Sequence, residues 1–300
     1  MQVKLTPKKI THLINECQRA LSQQKLAIRE LASLIGSLVA TFPGVQFGPL
    51  HYRTLEHDKN LALQQTNHNF EAKVALSPGS TLHLNWWVRS LPTSFRTIDH
   101  GQPQLFIHTD ASQVGWGATL PTLKTQGLWT YHEAQSHINT LELLAIKLGL
   151  QSLLNDTHNT HIRIQTDNTT AITYITAMGG CHSAKCNHIA QDIWDWAILR
   201  HNWLSASFIP GKQDVTADRL SHVFNAGTEW QLRSSLFMQI SSIFGAPSVD
   251  LFASRLNHQL PTYISWHPDP GATYVDAFTV DWATFTNGYA FPPFCLITRC

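Results

Sequence analysis

The sequence predicts an α/β domain: a mixed five-stranded sheet with flanking helices, preceded by a segment that is helical only. Three observations predict it. Residues 104–209 contain five short runs that read as strands, the first three separated by short turns and the last two by helix-length amphipathic stretches. Residues 1–103 carry apolar positions at helical spacing and few strand signals. A chain of 300 residues with 43% hydrophobic and 14% charged content can bury a sizeable core in about two domains.

The helical segment comes first. Residues 5–42 read as helix, with Ile10, Leu13, Ile14 and Cys17 on one face, then Leu26, Ile28, Leu31, Leu34, Ile35 and Leu38. Pro43, Gly44, Gly48 and Pro49 interrupt it. Arg53–Gln65 and Asn69–Leu76 read as two more helical pieces, Pro78-Gly79 as a turn, and Leu82–Leu91 as helix, with a linker over Pro92–Pro103. Gln104–Thr109, Gly115–Leu120 and Gly127–Tyr131 follow as an antiparallel meander, then helix Thr140–Leu154 with Leu141, Leu144, Ala145 and Leu148 apolar. His161–Thr166 is a fourth strand, Asn168–Ala177 and Lys185–Arg200 are helices, Trp203–Ile209 is a fifth strand, and Ala217–Ser221 opens a last helix. Beyond it, Glu229–Phe244 is an amphipathic helix and Val249–Ala253 a strand, while the aromatic and proline-rich stretch after Pro261 has no readable period. The organisation is therefore 1–103, 104–222 and 223–300.

Charge is uneven along these segments. Residues 1–103 carry 11 Lys and Arg against 6 Asp and Glu, residues 104–222 carry 7 against 9, and residues 223–300 carry 3 against 5. A basic N-terminal part beside an acidic middle suits a polyanion handle next to a metal-binding site. Five cysteines without disulfide-like spacing suit a reducing, intracellular setting, and no apolar run is long enough to span a membrane. Cys181, His182, Cys186 and His188 invite a zinc reading, but their spacing fits no closed structural pattern, and ordinary packing is the simpler account. The pairs Trp86-Trp87 and Trp194/Trp196 suit either helix cores or base stacking.

The chemistry lies in four acids. Asp110 stands in an apolar strand start, followed by the small residues Ala111 and Ser112, and a carboxylate there requires a cationic counterpart. Glu142, Asp167 and Asp218 stand where other elements could meet it. Each has a local alternative: a strand-end turn for Asp110, a capping box with Asn139 for Glu142, and helix caps for Asp167 and Asp218. Together, four carboxylates from four elements would repel one another without metal. Hard divalent cations relieve that, and two such ions could activate water and stabilise the departing oxygen of a phosphodiester.

Thr109-Asp110-Ala111-Ser112 with Gly115-Trp116-Gly117-Ala118, Asn139-Thr140-Leu141-Glu142-Leu143-Leu144-Ala145, Thr166-Asp167-Asn168, and Ile209-Pro210-Gly211-Lys212 through Ala217-Asp218-Arg219-Leu220-Ser221 resemble the ribonuclease H domain of retrotransposon polyproteins. The resemblance covers Gln104 to His222 and is nearest to DIRS-like (tyrosine-recombinase) elements. Leu31–Gly36 and Phe47–Arg53 are similar to the segment that joins reverse transcriptase to ribonuclease H there, and Asp250–Arg255 to a stretch after it. It implies a ribonuclease H-like fold, with Asp110, Glu142, Asp167 and Asp218 as catalytic, metal-binding acids for two Mg²⁺ ions, Mn²⁺ being able to substitute. It implies cleavage of the RNA strand of an RNA–DNA hybrid, a parent reverse transcriptase as partner, and substrate contacts at Ser112, Asn168 and Lys212. Two departures stand out: Gly211–Ala217 contains no histidine, where cellular ribonucleases H carry a mobile one, and no Tyr-x-Asp-Asp polymerase motif occurs. Met1 is thus expected to begin partway through an ancestral polyprotein. Two other functions fit the same residues: DNA strand transfer by an integrase- or transposase-like site, and nucleic-acid binding by an inactive or co-opted fragment.

Overall fold

A computed structural model describes residues 1–211, 215–224 and 229–300. The chain forms two compact units, neither of them contiguous: residues 1–102 with 173–195, and residues 103–172 with 196–300.

The first unit is helical. Helices α1 (Pro7–Ser22), α2 (Ile28–Val39), α3 (Arg53–Gln65) and α4 (Pro78–Ser90) surround a core of Leu13, Cys17, Leu31, Leu38, Leu84 and Trp87. The start signals are local. Thr6 accepts from the Lys9 amide ahead of Pro7 in α1, and Ser77 accepts from the Ser80 amide ahead of Pro78 in α4. Three expectations are corrected here. Residues 5–42 are not one helical run, because Leu26–Ala27 is extended and pairs with Lys73–Val74. That pairing also removes Asn69–Leu76 from the helices, after Asn67 and His68 end α3 in the left-handed region at φ 51° and 62°. Pro78-Gly79 is the first turn of a helix rather than a turn between elements, since a proline at the first helical position lacks only an N–H that would have no partner. The tryptophans resolve mostly toward the core: Trp87 and Trp194 are buried, as is Trp196 in the second unit, and Trp86 stacks on His51 with ring centroids 3.7 Å apart.

The second unit is an α/β layer. Its strands are β1 (Leu105–Ala111), β2 (Gly115–Thr119), β3 (Lys124–Leu128), β4 (His161–Thr166) and β5 (Trp203–Phe208), in the order β3-β2-β1-β4-β5. β1, β2 and β3 are antiparallel neighbours, and β4 and β5 run parallel to β1. The meander is as expected except that β3 lies three residues earlier than Gly127–Tyr131. Gly115 pairs with Leu128, and Thr130 and Glu133 close a capping box that starts the short helix Tyr131–Ala134. Helix α5 (Ile138–Leu153) packs on β1 and β2, and its contact is close because Gly149 has no side chain: a Cβ there would lie 2.7 Å from that of Ala118. Ile107, Thr109, Ile162, Ile164 and Thr166 are buried, whereas the alternating positions Phe106, His108, Arg163 and Gln165 are partly or largely exposed. The sheet thus has one sealed face and one more open one.

In chain order, helices α6 (Thr169–Thr176) and α7 (Ala184–Leu199) come after β4 and before β5, with residues 173–195 belonging to the first unit, and α8 (Val215–His222) follows β5. Residues 229–300 belong to this second unit. Helix α9 (Ser234–Phe244) begins five residues later than the sequence pattern suggests and has no buried residue. Val249–Asp250 pairs in parallel with Gly288–Tyr289, and Ile264–Ser265 with Tyr274–Val275. Arg255 anchors this region to the sheet, donating to both carboxylate oxygens of Glu133 at 2.9 and 3.0 Å and to the Leu128 carbonyl at 3.1 Å. No helix among the described residues is long and apolar enough to cross a membrane.

Candidate metal centre

Strand pairing delivers the first two acids to one place. Ile107 on β1 pairs with Ile164 on β4, three residues before Asp110 and Asp167 respectively. Because the strands are parallel, both carboxylates leave the sheet at its carboxyl edge, where open α/β sheets place their ligands. Glu142 comes from α5. The cap of that helix is His137, which accepts from the Asn139 amide at 3.2 Å, so the capping box proposed for Asn139 and Glu142 does not form. Glu142 sits in the second turn instead, 4% exposed, and accepts from the Thr166 hydroxyl at 3.4 Å and from the Ala111 amide. Asp167 likewise does not cap α6; Asn168 does, its Oδ1 accepting from the Ala171 amide at 2.9 Å.

Asp218 depends on a close approach of α8. Gly117 on β2 is the cross-strand partner of Asp110, and a Cβ there would lie 2.6 Å from the Ala217 carbonyl and from the Leu220 Cβ. The bare strand lets α8 lie against the sheet beside Asp110. Ser221 ties the two together, donating to Asp110 Oδ2 at 2.6 Å. His222, one turn beyond Asp218, completes the group with Nδ1 3.8 Å from Asp218 Oδ1.

Two triplets result, sharing Asp110. One ligand atom from each of Asp110, Glu142 and Asp167 lies within 4.8 Å of the others, and the same holds for Asp110, Asp218 and His222. All four predicted acids therefore meet. The electrostatics follow from this crowding. Burial raises the Glu142 carboxyl to about 9, and the charges of Asp110 and Asp167 push the same way. Asp110 is also raised, chiefly by burial, against the lowering effect of the Ser221 hydrogen bond. A buried carboxylate whose charged neighbours are two more carboxylates is a donor set that a hard divalent cation satisfies, so these residues fit Mg²⁺ or Mn²⁺.

The other predicted residues fall differently. Ser112 is 7% exposed and its hydroxyl is turned into the protein: it donates to the Ser221 carbonyl at 2.6 Å and accepts from the Val114 and Gly115 amides. Asn168 stands at the carboxyl edge and donates to Asn139 Oδ1 at 3.0 Å. Lys212 lies outside the described residues. Cys181 is exposed and Cys186 buried, and neither belongs to a cluster of three metal-ligating side chains among the described residues. Sequence reasoning missed Ser221 and His222, although their spacing of three and four from Asp218 is the helical signal that could have found them.

No protein-family model matches the chain, and no curated protein matches it either. Among solved structures it is similar to ribonuclease H1 from the halophilic archaeon Halobacterium salinarum NRC-1, at 13% identity and a TM-score of 0.32, over 39% of this chain and 92% of that one. It is similar to LC11 ribonuclease H1 in complex with an RNA/DNA hybrid, at 14% identity and a TM-score of 0.33, over 39% of this chain and 93% of that one. A third is the foamy viral protease-reverse transcriptase in complex with RNA/DNA hybrid, at 14% identity and a TM-score of 0.26, over 76% of this chain and 30% of that one.

Proposed function

We propose that this chain is a ribonuclease H-type endonuclease that hydrolyses the RNA strand of RNA–DNA hybrids and derives from a retrotransposon polyprotein of the DIRS-like kind. The observation that supports the reading best is the pair of ligand triplets sharing Asp110, built from four separate elements at the carboxyl edge of the sheet. The motif strings around the same four acids support the retrotransposon origin, and the segments Leu31–Gly36 and Phe47–Arg53 support a parent reverse transcriptase as partner.

In this reading Asp110 is shared between two cation positions, with Glu142 and Asp167 completing one and Asp218 the other. When bound, two divalent cations supply a lowered water pKa and stabilisation of the departing oxygen. The chain's own residues hold the geometry. Ser221 fixes the Asp110 rotamer, Thr166 and the Ala111 amide orient Glu142, and Ser112 braces α8 through the Ser221 carbonyl. The open sheet face beside Asp110 is the surface for an A-like duplex, whose shallow minor groove exposes the 2′-hydroxyls that mark RNA. Asn168 is the candidate contact for them, because each end of its amide keeps a bonding position beyond those used within the protein. Lys212 is the candidate phosphate contact.

The test is cleavage of an end-labelled RNA–DNA hybrid in Mg²⁺ or Mn²⁺, with Asp167→Asn beside the unaltered chain. Cleavage confined to the RNA strand, and abolished by the substitution and by EDTA, is the expected result. A folded, metal-binding protein that leaves the hybrid intact refutes it.

A further inference from the structure

Strand register orders the open face of the sheet into rows. Helix α5 packs on the opposite face, where Gly149 meets Ala118 and Thr109, while α8 reaches the open face at Gly117. Asp110 and its partner Gly117 form the row at the carboxyl end of β1. Two residues back along the strands, roughly 7 Å away, Lys124, Thr119, His108, Gln165 and Ser207 form a second row across all five strands. Phe106, Arg163 and Ser205 form a third on β1, β4 and β5. Phe106 stands on the central strand, 40% exposed, with no ring partner among the described residues. A phenylalanine alone on a surface needs no explanation, but the register partner of this one is an arginine. Arg163 Nε donates to Ser205 Oγ at 3.3 Å, which ties the side chain to the next strand, and its two terminal nitrogens bond to nothing among the described residues. Behind Asp110 and Asp167, no strand position of this face carries an acid. Phe106, His108, Thr119 and Lys124, with Thr216 of α8, line a cleft of about 430 Å³, within the range of ligand sites.

We infer that this face is a binding site for single-stranded nucleic acid, with a base stacked on Phe106 and Arg163 on the adjacent phosphate. An open aromatic ring beside cationic side chains is how an exposed sheet holds an unpaired strand: the ring takes any base by its face, and the cations follow the backbone. The charge distribution suits a polyanion, since the cations Arg163 and Lys124 stand on the part of the face that holds no carboxylate. A duplex fits these rows less well, because its bases are stacked on one another and present no face to Phe106. The site needs no metal. It rests on the proposed function for the identity of the strand: the hybrid meets the carboxyl edge at Asp110, and its unpaired extension runs back over β1 and β4 toward their amino ends.

The experiment measures binding of fluorescein-labelled RNA and DNA single strands of about 12 nucleotides to the full chain in EDTA, over a range of salt concentrations. Phe106→Leu keeps an apolar side chain on β1 without the ring, and Arg163→Gln removes the charge but keeps a hydrogen-bonding end. Circular dichroism confirms folding, and cleavage of a blunt RNA–DNA hybrid by the unaltered chain in Mg²⁺ is followed in parallel. Expected are a loss of about tenfold in single-strand affinity for Phe106→Leu with the salt dependence unchanged, and a fall of about 0.7 in the slope of log K against log salt for Arg163→Gln. Folded variants that bind single strands as the unaltered chain does, or an unaltered chain that binds none, overturn the inference, and cleavage of the blunt hybrid then leaves the proposed function standing. Single-strand binding with the expected pattern, in a chain that cleaves no hybrid, supports the site and overturns the proposed function.

Discussion

Replacing Glu142 by Gln should stabilise the metal-free protein while weakening its hold on metal. The carboxyl titrates at about 9 in the fold against an ordinary 4.5, with burial the first cause and the Asp110 and Asp167 charges the next. A raised folded pKa means that the contribution is complete below the unfolded value and is lost as pH climbs toward the folded one. Within that window each pH unit is worth up to about 1.4 kcal/mol, so at pH 7.5 the penalty approaches roughly 4 kcal/mol. Water entry and side-chain relaxation reduce it, and a net gain of about 2–4 kcal/mol is the working figure. Glutamine keeps an oxygen for the Thr166 hydroxyl and the Ala111 amide but carries no charge. The gain should appear as a rise of roughly 4–10 °C in the melting temperature of the second unit in EDTA. At pH 5 it should shrink below about 1 kcal/mol, because less than one pH unit of the window then remains. Adding Mg²⁺ should raise the melting temperature of the unaltered protein more than that of the variant. Calorimetric melts at both pH values, with and without Mg²⁺, decide the matter. A variant less stable than the parent in EDTA at pH 7.5, or a gain equal at pH 5 and 7.5, refutes the reasoning.

Gly117→Ala should push α8 off the sheet, since the new Cβ would lie 2.6 Å from the Ala217 carbonyl and the Leu220 Cβ; about 1–3 kcal/mol of stability and much of the metal affinity should be lost, read by melts and Mn²⁺ titration. Arg255→Ala removes three hydrogen bonds to Glu133 and Leu128, which should cost about 2 kcal/mol and speed limited proteolysis within residues 229–300. In the helical unit, burial lowers His51 to about 3, with His83 3.0 Å away. A lowered folded pKa gives stability that is present above about 6.5 and lost as pH falls toward 3, so acid titration below pH 6 should unfold this unit. His51→Phe, which keeps a ring against Trp86, should flatten that dependence in tryptophan fluorescence.

What was readable along the chain, and what was not, divides by range. Helix α1 carries its start signal in Thr6 and Pro7, within the stretch that reads as helix, whereas the equivalent signal of α4, in Ser77 and Pro78, is hidden where Pro78-Gly79 reads as a turn; caps and first-turn prolines act within four residues. The alternation of Ile162, Ile164 and Thr166 marks a half-buried strand, and its parallel pairing with β1 follows from the helical crossover between them. Asn69–Leu76 misled because nothing local reveals that Lys73–Val74 will find Leu26–Ala27 forty-seven residues earlier. The late start of α9 has the same kind of origin: the Trp230 and Leu232 carbonyls ahead of it accept from the Asn257 and Gln259 side chains, twenty-seven residues further on.

The four acids were legible because each stands in a short local string, such as Thr109-Asp110-Ala111-Ser112 or Thr166-Asp167-Asn168, and composition and order survive in one dimension. By itself the sequence indicated the mixed five-stranded sheet and most of its flanking helices, and singled out Asp110, Glu142, Asp167 and Asp218 as candidate cation-binding groups. The tertiary structure alone decided that they meet in two triplets around Asp110, that Gly117 admits α8 to the sheet, and that Ser221 and His222 join the centre. The physical reason is that a carboxylate's identity is a property of one residue, whereas its pKa, its partners and its metal geometry depend on packing between strands and helices far apart in the chain. Contacts of that kind leave no periodicity for a sequence pattern to carry.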